Sequence, residues 1–461
     1  SDVLPHTANV RTRLVSDIYL NAPIVSAAMD TVTEEELAIA LALEGGAGVI
    51  HRNLSPEEQA SQVASVKRFL NWIIENPVTV QENTLIGDVR SLRAKYGVSG
   101  FPVTDENGVL KGIITGRDLR FCDDNSLLVK NVMTSDPVLA EGIPTPESAK
   151  IKFNEYKIEK LPVVDKSGKI TGLITVKDME KHNDHPAAAI DEHGRLIVGA
   201  AISPQDYDIR IPLLMESKVD FVVLDTAHGD AKSVVDAVAA IKKKYNVPVI
   251  GGNAATAEAT RRLIDAGSDA VKVGVGPGSI CTTRIVAGIG VPQLSAVSWC
   301  AEEAEKDDIP IIADGGIKFS GDIPKAIAAG ASSIMVGNLF AGLKEAPGSE
   351  IIYEGRIFKQ YRGMGSIGAI KEGSGDRYQM KKGDAPVPEG IEGRVPYKGE
   401  LRPFLHQLIT GLKKGMSYCG CSSINELRKY KNFVKISPAG LRESHAHDIM
   451  ITQEAPNYSK N

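Results

Sequence analysis

Eight short runs of apolar, mostly β-branched residues recur along the chain, and residues with helical periodicity fill the intervals between them. The runs predict strands at 23–28, 47–50, 196–202, 220–225, 247–252, 269–275, 309–314 and 332–337. The intervals predict helices, among them 55–68, 231–244, 256–266 and 321–329. Because helices separate the strands, the pattern favours a closed (β/α)8 TIM barrel over an open sheet.

One interval, residues 51–195 between the second and third predicted strands, is too long for a single barrel connection. Within it, FPVTDENGVLKGIITGRDL at 101–119 is repeated as LPVVDKSGKITGLITVKDM at 161–179. Each copy predicts a hairpin with an acid–glycine turn, followed by a helix. The sequence therefore predicts an inserted domain of two similar modules. Its bounds divide the chain into a first barrel segment, 1–75, the insertion, 76–184, and a second barrel segment, 185–461.

The helix of each module is predicted to begin at a Thr-x-x-Asp pattern. Thr115 precedes Asp118 in the first module, and Thr175 precedes Asp178 in the second. A threonine at the N-cap and an acid in the first turn satisfy amide groups that have no partner inside the helix. The pattern thus has a structural explanation that needs no ligand.

A glycine-rich stretch around Cys281, KVGVGPGSICTTRIVAGIGVPQ at 272–293, is the strongest candidate for a catalytic site. Its first residues complete a predicted strand, and glycine lets the backbone that follows approach a ligand closely. Free amide groups and the cations Lys272 and Arg284 would favour a thiolate, which is the nucleophilic form of cysteine. The alternative is a small apolar cysteine packed in a turn.

The ends of three predicted strands carry further candidates. Barrel enzymes build their sites at the C-terminal ends of strands, and phosphate is usually held after strands seven and eight. Those two ends carry Asp314, Gly316, Gly337 and Asn338. Glycine amides there can donate to phosphate oxygens, and Asp314 can accept from ribose hydroxyls. The fourth strand ends at Asp225, an acid whose carboxylate suits the ribose of a cofactor.

Two segments follow the eighth predicted strand. Residues 360–400 are rich in glycine and proline, and an irregular loop of this length is usually a functional lid or a disordered segment. We expect a mobile flap here. From Leu401 onward, a helical run is expected to pack beside the barrel.

The composition excludes several classes of partner. With a net charge of −5 and no block of lysine or arginine, the chain is not expected to bind nucleic acid or a membrane surface. No apolar run is long enough to span a bilayer, and the N-terminal residues do not form a signal-peptide pattern. The five cysteines lack the spacing of a disulfide framework, so we expect a cytoplasmic protein. No G-x-G-x-x-G joins a strand to a helix, so no Rossmann module is expected.

The segment GVGPGSICTTR, which contains Cys281, resembles the active-site loop of the IMP dehydrogenase and GMP reductase family. The resemblance implies that the chain oxidises inosine 5'-monophosphate (IMP) to xanthosine 5'-monophosphate with NAD+ and water, in guanine nucleotide biosynthesis. Cys281 would attack C2 of the purine and form a covalent thioimidate. Thr283 would orient the water that later attacks the same carbon.

The hydrolysis needs a base, which the dehydrogenases carry as an Arg-Tyr pair on a mobile flap. GDRYQ at 375–379 resembles that segment, so the resemblance assigns the base to Arg377 and Tyr378. Arginine is normally protonated, and it needs a special environment to act as a base. Its alternative role is to bind phosphate or carboxylate in a lid. Glu389 offers a second proton route through Thr283.

The resemblance also assigns binding residues. It places IMP against Ser279, Asn253, Asp314, Gly316, Gly337, Asn338, Tyr361, Met364, Gly365 and Glu389. It places NAD+ against Asp225, Thr226 and Gly274. Two positions depart from the common pattern: Asn338 stands where serine is commoner, and Asp230 stands where many relatives have histidine.

A cation, an oligomer and a second nucleotide site are further implications of the resemblance. A monovalent cation, usually K+, would bind carbonyl groups of Gly276, Gly278 and Cys281 together with Glu443, Ser444 and His445 of a neighbouring subunit. The family forms homotetramers, which can pair into octamers. The insertion resembles a tandem CBS domain pair, which often binds adenine or guanine nucleotides through its threonine and aspartate residues.

Two other functions fit parts of the sequence. GMP reductase shares the cysteine loop but uses NADPH and releases ammonia. Reductases are expected to lack the insertion, and the pair Arg377 and Tyr378 also favours the dehydrogenase. A non-catalytic sensor of purine nucleotides would be favoured by an altered Cys281 or Arg377, and both residues are present.

Overall fold

The computed structural model describes residues 2–142, 144–375 and 387–453, together with 455, 457 and 458. The chain forms two compact units. One unit joins Ser1–Phe69 to Ala187–Asn461, and the other is Leu70–Pro186. The predicted limits of the insertion, 76 and 184, lie a few residues inside the second unit.

The strands lie along the chain as follows. They are β1 (Thr12–Val15), β2 (Ile18–Leu20), β3 (Ile24–Ser26), β4 (Ala47–Ile50), β5 (Ile74–Glu75), β6 (Val80–Gln81), β7 (Gly100–Thr104), β8 (Leu110–Thr115), β9 (Ala140–Glu141), β10 (Lys160–Val164), β11 (Ile170–Thr175), β12 (Val198–Ile202), β13 (Phe221–Asp225), β14 (Val249–Ala254), β15 (Ala270–Val273), β16 (Ile311–Asp314), β17 (Ser333–Val336), β18 (Glu350–Tyr353), β19 (Arg356–Arg362) and β20 (Glu392–Pro396).

The α-helices alternate with these strands. They are α1 (Glu35–Leu43), α2 (Pro56–Phe69), α3 (Ile86–Tyr96), α4 (Gly116–Arg120), α5 (Pro146–Tyr156), α6 (Val176–Asn183), α7 (Tyr207–Glu216), α8 (Lys232–Lys244), α9 (Ala257–Asp265), α10 (Thr283–Val286), α11 (Gln293–Ala304), α12 (Asp322–Ala328), α13 (Asn338–Ala341), α14 (Ile367–Lys371), α15 (Leu401–Cys419), α16 (Ile424–Lys429) and α17 (Pro438–Glu443).

A closed parallel barrel forms the centre of the first unit, with strands in the order β12-β13-β14-β15-β16-β17-β3-β4. The last strand, β17, pairs with β3 through Ile334 and Ile24, and β4 pairs with β12 through Gly48 and Val198. The two strands before the insertion therefore complete the same sheet as the six strands after it. The eight-stranded barrel confirms the fold predicted from the alternating pattern.

Burial on both faces explains why the barrel strands read as continuous apolar runs. Every residue of β12 and β13 is buried, as expected for parallel strands covered by helices outside and by side chains inside. Glycine permits the closest contacts in this packing. A Cβ added at Gly199 would lie 2.2 Å from the ring of Phe221, so only glycine fits beside that ring.

The helices around the barrel pack through apolar stripes. In α8 the buried residues are Val234, Ala237, Val238 and Ile241, which recur at helical spacing. The last turn of α8 carries three lysines, and positive charge there is favourable beside the negative end of the helix dipole. Helix α9 begins after Thr256, whose side chain accepts a hydrogen bond from the Ala259 amide.

The second unit contains the two repeated modules. One module has the sheet β6-β7-β8, and the other has the sheet β5-β11-β10-β9. The hairpins have equivalent register, since Val103 pairs with Gly112 and Val163 pairs with Gly172. The acid–glycine turns are present as predicted from the repeat.

The Thr-x-x-Asp patterns have the capping role predicted for them. Asp118 Oδ2 accepts hydrogen bonds from both the amide and the hydroxyl of Thr115 at 2.7 Å. In the second module, the Thr175 hydroxyl donates to Asp178 Oδ2 at 2.6 Å, and the Asp178 amide donates back to the hydroxyl oxygen. These contacts hold the start of α4 and α6 without any ligand.

The expectation of an irregular loop over residues 360–400 is wrong in part. Strand β19 extends to Arg362 and pairs antiparallel with β20, so residues 360–362 and 392–396 belong to the sheet β18-β19-β20. Helix α14 lies between them and begins at Ser366, whose side chain accepts from the Ala369 amide. The pairing of β19 with β20 joins residues about thirty positions apart, which glycine content and local alternation do not reveal.

The helical run after Leu401 is α15, which packs against α1 and α12 of the barrel as expected. Its buried face consists of leucines and a methionine at helical spacing: Leu401, Leu405, Leu408, Leu412 and Met416. Among the described residues, no helix is both long enough and apolar enough to cross a membrane.

Candidate functional site

A cavity opens at the C-terminal ends of the barrel strands. Most residues assigned to the site line it, namely Asp225, Asn253, Gly274, Gly276, Gly278, Ser279, Cys281, Thr283, Asp314, Gly316, Gly337, Asn338, Tyr361, Met364, Gly365 and Glu389. They come from the ends of β13–β17, from β19 and from the segment before β20. Residues far apart in the sequence are thus brought together around one cavity.

The loop that carries Cys281 follows the buried strand β15 and has glycine where its backbone is most unusual. Gly274 has a φ of +150° and Gly276 a φ of +79°, and a Cβ at Gly274 would lie 2.3 Å from the Asp314 carbonyl oxygen. The loop is then held against residues 389–391, since the Thr282 amide donates to the Glu389 carbonyl at 2.8 Å. Cys281 therefore lies on a fixed loop, half-buried, with its side chain on the cavity.

A chain of hydrogen bonds joins the thiol to a carboxylate. Cys281 Sγ lies 3.2 Å from Thr283 Oγ1, and the Thr283 hydroxyl donates to Glu389 Oε2 at 2.7 Å. Because the one hydroxyl proton of Thr283 is directed at Glu389, Thr283 Oγ1 accepts from the Cys281 thiol. The arrangement can carry a proton from sulfur toward the carboxylate.

The cations that were expected to support a thiolate are engaged elsewhere. Lys272 Nζ lies 2.6 Å from Asp314 Oδ2 and 3.0 Å from Asp225 Oδ1. Arg284 donates to the carbonyl oxygens of Val275 at 3.2 Å and Val291 at 2.5 Å. The closeness of both residues to Cys281 in the sequence predicted cations beside the sulfur. In the structure, Lys272 is paired with buried carboxylates and Arg284 with backbone carbonyls.

The predicted phosphate end of the cavity is built from glycines and a phenol. Gly316 has a φ of +83°, and a Cβ at Gly337 would lie 3.4 Å from the Tyr361 hydroxyl, which places that phenol beside the strand end. Burial raises the pKa of Tyr361 to about 12, partly offset by a hydrogen bond with Ser279. Tyr361 therefore remains a neutral donor over the physiological pH range. Asn338 is the first residue of α13.

The residues predicted to face the purine are fixed by backbone contacts. The Glu389 amide donates to the Gly365 carbonyl at 3.0 Å, and the Ser374 hydroxyl donates to the Met364 carbonyl at 2.5 Å. Asn253 donates through Nδ2 to Asp314 Oδ2 at 2.9 Å and to the Gly274 carbonyl at 2.8 Å. These side chains and amides are held in place before any ligand binds.

Not every predicted residue lies at the cavity. The Thr226 side chain is buried, and its hydroxyl donates to the Gly252 carbonyl at 2.7 Å. Glu443, Ser444 and His445 lie at the end of α17, and the His445 ring contacts Phe319 at 5.9 Å between centroids. Asp376, Arg377 and Tyr378 lie outside the described residues.

The sequence interpretation missed three residues that line the cavity and one that supports its wall. Ala27, Ala28 and Met29 follow β3 and line the cavity, as the rule about strand ends could have indicated. Gln293 Nε2 donates to the carbonyls of Val273 at 2.9 Å and Asp314 at 3.0 Å, and so ties two barrel strands together. No local pattern in the sequence marks that glutamine.

Asp230, which stands where many relatives have histidine, forms an ion pair with Arg262 of α9. Arg262 Nε and Nη2 each lie 2.5 Å from a carboxylate oxygen of Asp230. The guanidinium holds the pKa of Asp230 below its usual range. The residue that replaces histidine is thus a charged, paired carboxylate.

Comparisons with known proteins cover almost the whole chain. The family described as "IMP dehydrogenase / GMP reductase domain" matches residues 1–447. Inosine-5'-monophosphate dehydrogenase of Halalkalibacterium halodurans is 54% identical over 462 residues, covering 100% of this chain and 95% of the relative. The enzyme of the same name from Aquifex aeolicus is 56% identical over 465 residues, with 99% and 95% covered.

A solved structure corrects one expectation about the insertion. The crystal structure of a GMP reductase from Trypanosoma brucei in complex with guanosine 5'-monophosphate is similar with a TM-score of 0.84 and 39% identity. The match covers 98% of this chain and 95% of that chain, and therefore extends across the unit Leu70–Pro186. The expectation that reductases lack the insertion is wrong, so the insertion does not separate the two activities. From the full-length matches, we conclude that the chain belongs to the IMP dehydrogenase / GMP reductase family.

Proposed function

We propose that the chain is an NAD-dependent oxidoreductase that converts IMP to xanthosine 5'-monophosphate with NAD+ and water. Its relatives at 50–56% identity over the full chain are named inosine-5'-monophosphate dehydrogenase, which supports this activity. The observation that carries the chemistry is the contact between Cys281 and Thr283 at the barrel mouth, continued by Thr283 to Glu389. It joins a nucleophile to a proton acceptor.

The first chemical step is the addition of Cys281 sulfur to C2 of the purine. The thiol proton leaves through Thr283 to Glu389, so the sulfur attacks as a thiolate. As the S–C2 bond forms, the C2=N3 double bond opens and N3 takes up a proton. NAD+ supplies the acceptor for the hydride of C2, and N3 loses its proton as the double bond to C2 is restored. The product is a thioimidate on Cys281, which water hydrolyses to xanthosine 5'-monophosphate with return of the thiol.

IMP binds with its phosphate toward the ends of β16 and β17 in this proposal. Gly316, Gly337 and Asn338 supply amide groups, and Ser279 and Tyr361 supply hydroxyls, all of which line the cavity. Among the described residues, Asp314 uses Oδ2 for its side-chain hydrogen bonds with Asn253 and Lys272, which leaves Oδ1 for a ribose hydroxyl. The purine would lie against Asn253, Met364, Gly365 and Glu389.

NAD+ binds on the side of the mouth formed by Asp225 and Gly274, which both line the cavity. A carboxylate there can accept from a ribose hydroxyl or from the nicotinamide amide. Thr226 would act through its position below Asp225, because its hydroxyl is already bound to Gly252. Arg377 and Tyr378 would supply the base for hydrolysis.

A monovalent cation such as K+ fits the cysteine loop by the chemistry of its donors. Gly276, Gly278 and Cys281 offer carbonyl oxygens, the ligands that hard cations prefer. Gly278 already accepts from the Cys281 amide at 3.1 Å, and a carbonyl oxygen has a second lone pair. Glu443, Ser444 and His445 of a neighbouring subunit would complete the site, in the homotetramer that we propose for this chain.

The unit Leu70–Pro186 would act as a tandem CBS pair that binds adenine or guanine nucleotides. Arg90 and Arg93 line a cavity in it, and Arg93 lies close to Gly116 beside the first capping motif. Lys160 lies near Arg93 and Arg117, and its pKa is lowered mainly by burial. A concentration of cations of this kind suits a polyphosphate. We place the enzyme in the cytoplasm, where octamers can form through these pairs.

Incubation of the purified chain with IMP, NAD+ and K+ tests the proposal by the absorbance of NADH. We expect turnover with IMP and none with GMP and NADPH, which is the reductase reaction. Cys281→Ala should abolish NADH formation while IMP still binds. Mass spectrometry of the denatured parent should show the purine on Cys281. Turnover by Cys281→Ala within tenfold of the parent contradicts covalent catalysis.

A further inference from the structure

The most completely buried charge at the cavity is Lys272, which the proposed chemistry does not use. Its side chain is 1% exposed and extends from β15 into the barrel mouth. The ammonium group lies 2.5 Å from Asn253 Oδ1, 2.6 Å from Asp314 Oδ2 and 3.0 Å from Asp225 Oδ1. An ammonium has three N–H donors, so these three acceptors use all of them.

The three acceptors come from three different strands. Asp225 ends β13, Asn253 lies in β14 and Asp314 ends β16, while Lys272 itself lies in β15. One side chain therefore ties together four neighbouring strands at the edge where the site is built. Asn253 completes the group by donating through Nδ2 to Asp314 Oδ2, which fixes the orientation of its amide.

The charges of Lys272 and its two carboxylate partners do not balance. A ligand that binds one carboxylate can therefore change the interaction of Lys272 with the other. One ammonium faces two carboxylates, so Asp225 and Asp314 compete for the same cation in a buried place where charge interactions are strong. A hydroxyl that donates to Asp314 takes up part of its charge. Lys272 then becomes a stronger partner for Asp225, and the carboxylate of Asp225 becomes better ordered.

We propose that Lys272 is a positioning residue that couples nucleotide binding to dinucleotide binding, by holding Asp314 and Asp225 on one ammonium group. The inference rests on the proposed function, in which Asp314 receives the ribose of IMP and Asp225 faces NAD+. Because coupling between two binding sites is reciprocal, IMP must tighten NAD+ binding by the same factor by which NAD+ tightens IMP binding. Couplings of this kind are typically about 5- to 150-fold.

Calorimetric titration in a Cys281→Ala background measures the coupling without turnover. We expect saturating IMP to lower the Kd of NAD+ at least fivefold in that background. Addition of Lys272→Met should reduce the factor below twofold, and Lys272→Arg should retain part of it because a guanidinium can bridge both carboxylates. Lys359→Met is the matched control: Lys359 is also buried, but it donates to the carbonyls of Lys344 and Ala346. It should leave the factor unchanged.

A second variant guards against misfolding of Lys272→Met. Lys272→Met with Asp225→Asn leaves a single carboxylate, and so keeps the net charge of −1 that one ammonium and two carboxylates have. It should fold, bind IMP and show a factor below twofold. A factor of two or more in either of these two variants overturns the coupling, as does a factor below five in the Cys281→Ala background. If the unmodified chain, with Cys281 in place, forms no NADH, the proposed function fails and the coupling fails with it. If it forms NADH but Lys272→Met leaves the coupling factor unchanged, the coupling alone fails.

Discussion

Thr283 has a single hydroxyl proton, and the direction of that proton sets the order of events at the thiol. The proton points to Glu389 at 2.7 Å, so the sulfur 3.2 Å away is the donor to Thr283. Proton transfer out of the thiol then needs no rearrangement of side chains. When water later replaces the sulfur at C2, the same chain of Glu389, Thr283 and Cys281 can return the proton to the sulfur.

Replacement of the hydroxyl tests this order. Thr283→Val keeps the shape of the side chain but removes the link to Glu389, so formation of the Cys281 adduct should slow by about 10²-fold or more. Rapid mixing with IMP and NAD+ followed by mass spectrometry measures it. Thr282→Val is the matched control, since the adjacent side chain makes no capping hydrogen bond. Equal rates in the two variants would remove Thr283 from the proton path.

The buried carboxyl of Asp220 should make the free energy of unfolding decrease as the pH rises. It lies at the other end of the barrel, where Lys67 Nζ is 2.8 Å from both of its carboxylate oxygens, and burial raises its pKa to about 6. A folded-state pKa above the unfolded value of 3.8 favours the protonated folded state. The contribution is fully present below pH 4 and is lost as the pH rises through 6. Asp191 shares Lys67, but its pKa is lowered, so its own effect falls below pH 4.

Thermal unfolding between pH 4.5 and 7.5 measures the effect. The raised pKa of Asp220, about 6 against 3.8, corresponds to about 3 kcal/mol of unfolding free energy over the full titration. Other groups that titrate in this range are shared by parent and variant, so the comparison isolates Asp220. The Tm of the parent should therefore fall relative to the Tm of Asp220→Asn as the pH rises through 6, and the relative Tm should be constant above about pH 7. A constant difference across the range would show that Asp220 keeps its ordinary pKa in the fold.

At the scale of elements, an ion pair joins β19 to the loop after β3. Arg362 Nη2 lies 2.8 Å from Asp30 Oδ2, with the side chains 11% and 6% exposed. The loop residue Asn53 also donates to Asp30 Oδ2 at 2.8 Å. Because Tyr361 and Gly363 flank Arg362, the ion pair fixes the strand that carries the phenol and the purine-facing backbone.

Loss of this ion pair should therefore weaken nucleotide binding. Arg362→Met leaves Asp30 buried without its cation, which typically costs about 3–5 kcal/mol of stability for a buried pair. We expect a lower Tm and a KM for IMP at least tenfold higher, measured from NADH formation. Arg356→Met, at the exposed start of the same strand, should change neither value. An unchanged KM with a lower Tm would limit Arg362 to a structural role.

The elements that could be predicted from sequence are those whose signal is local. The barrel strands are short apolar runs bounded by helical periodicity, and the ends of β15, β16 and β17 identify most of the candidate site. Strand β19 forms a local hairpin with β18, in which Tyr353 pairs with Arg356, and the sequence interpretation did not use that local signal. Strand β20 escaped prediction because its partner β19 lies about thirty residues earlier in the chain, with Tyr361 opposite Gly393. The role of Lys272 escaped it for the same reason, since Asp225 and Asp314 approach it only when the barrel closes.

At the scale of the whole molecule, the second unit enters and leaves at one connection of the barrel. Helix α2 ends at Phe69, and the chain is again tied to the barrel unit at Ala187, whose carbonyl accepts from Asn21 Nδ2 at 3.1 Å. Among the described residues, those that line the cavity all belong to the first unit. We therefore expect the barrel to be active without Leu70–Pro186.

Replacement of residues 70–186 by a flexible linker should leave an active barrel. We expect NADH formation within tenfold of the parent, a single thermal transition and no response to adenine or guanine nucleotides. Circular dichroism and analytical ultracentrifugation establish that the variant is folded and assembled. A folded, assembled variant without turnover would show that the second unit takes part in catalysis.

The order of strands in the barrel also constrains how the chain can be made. β3 needs β17 as its neighbour, and β17 begins at Ser333, so a nascent chain has left the ribosome over most of its length before the sheet can close. Until then β3 and the newest strand are open edges, which pair readily with other chains. Chains interrupted before Ser333 should consequently aggregate even though Leu70–Pro186, with its own core, is already folded.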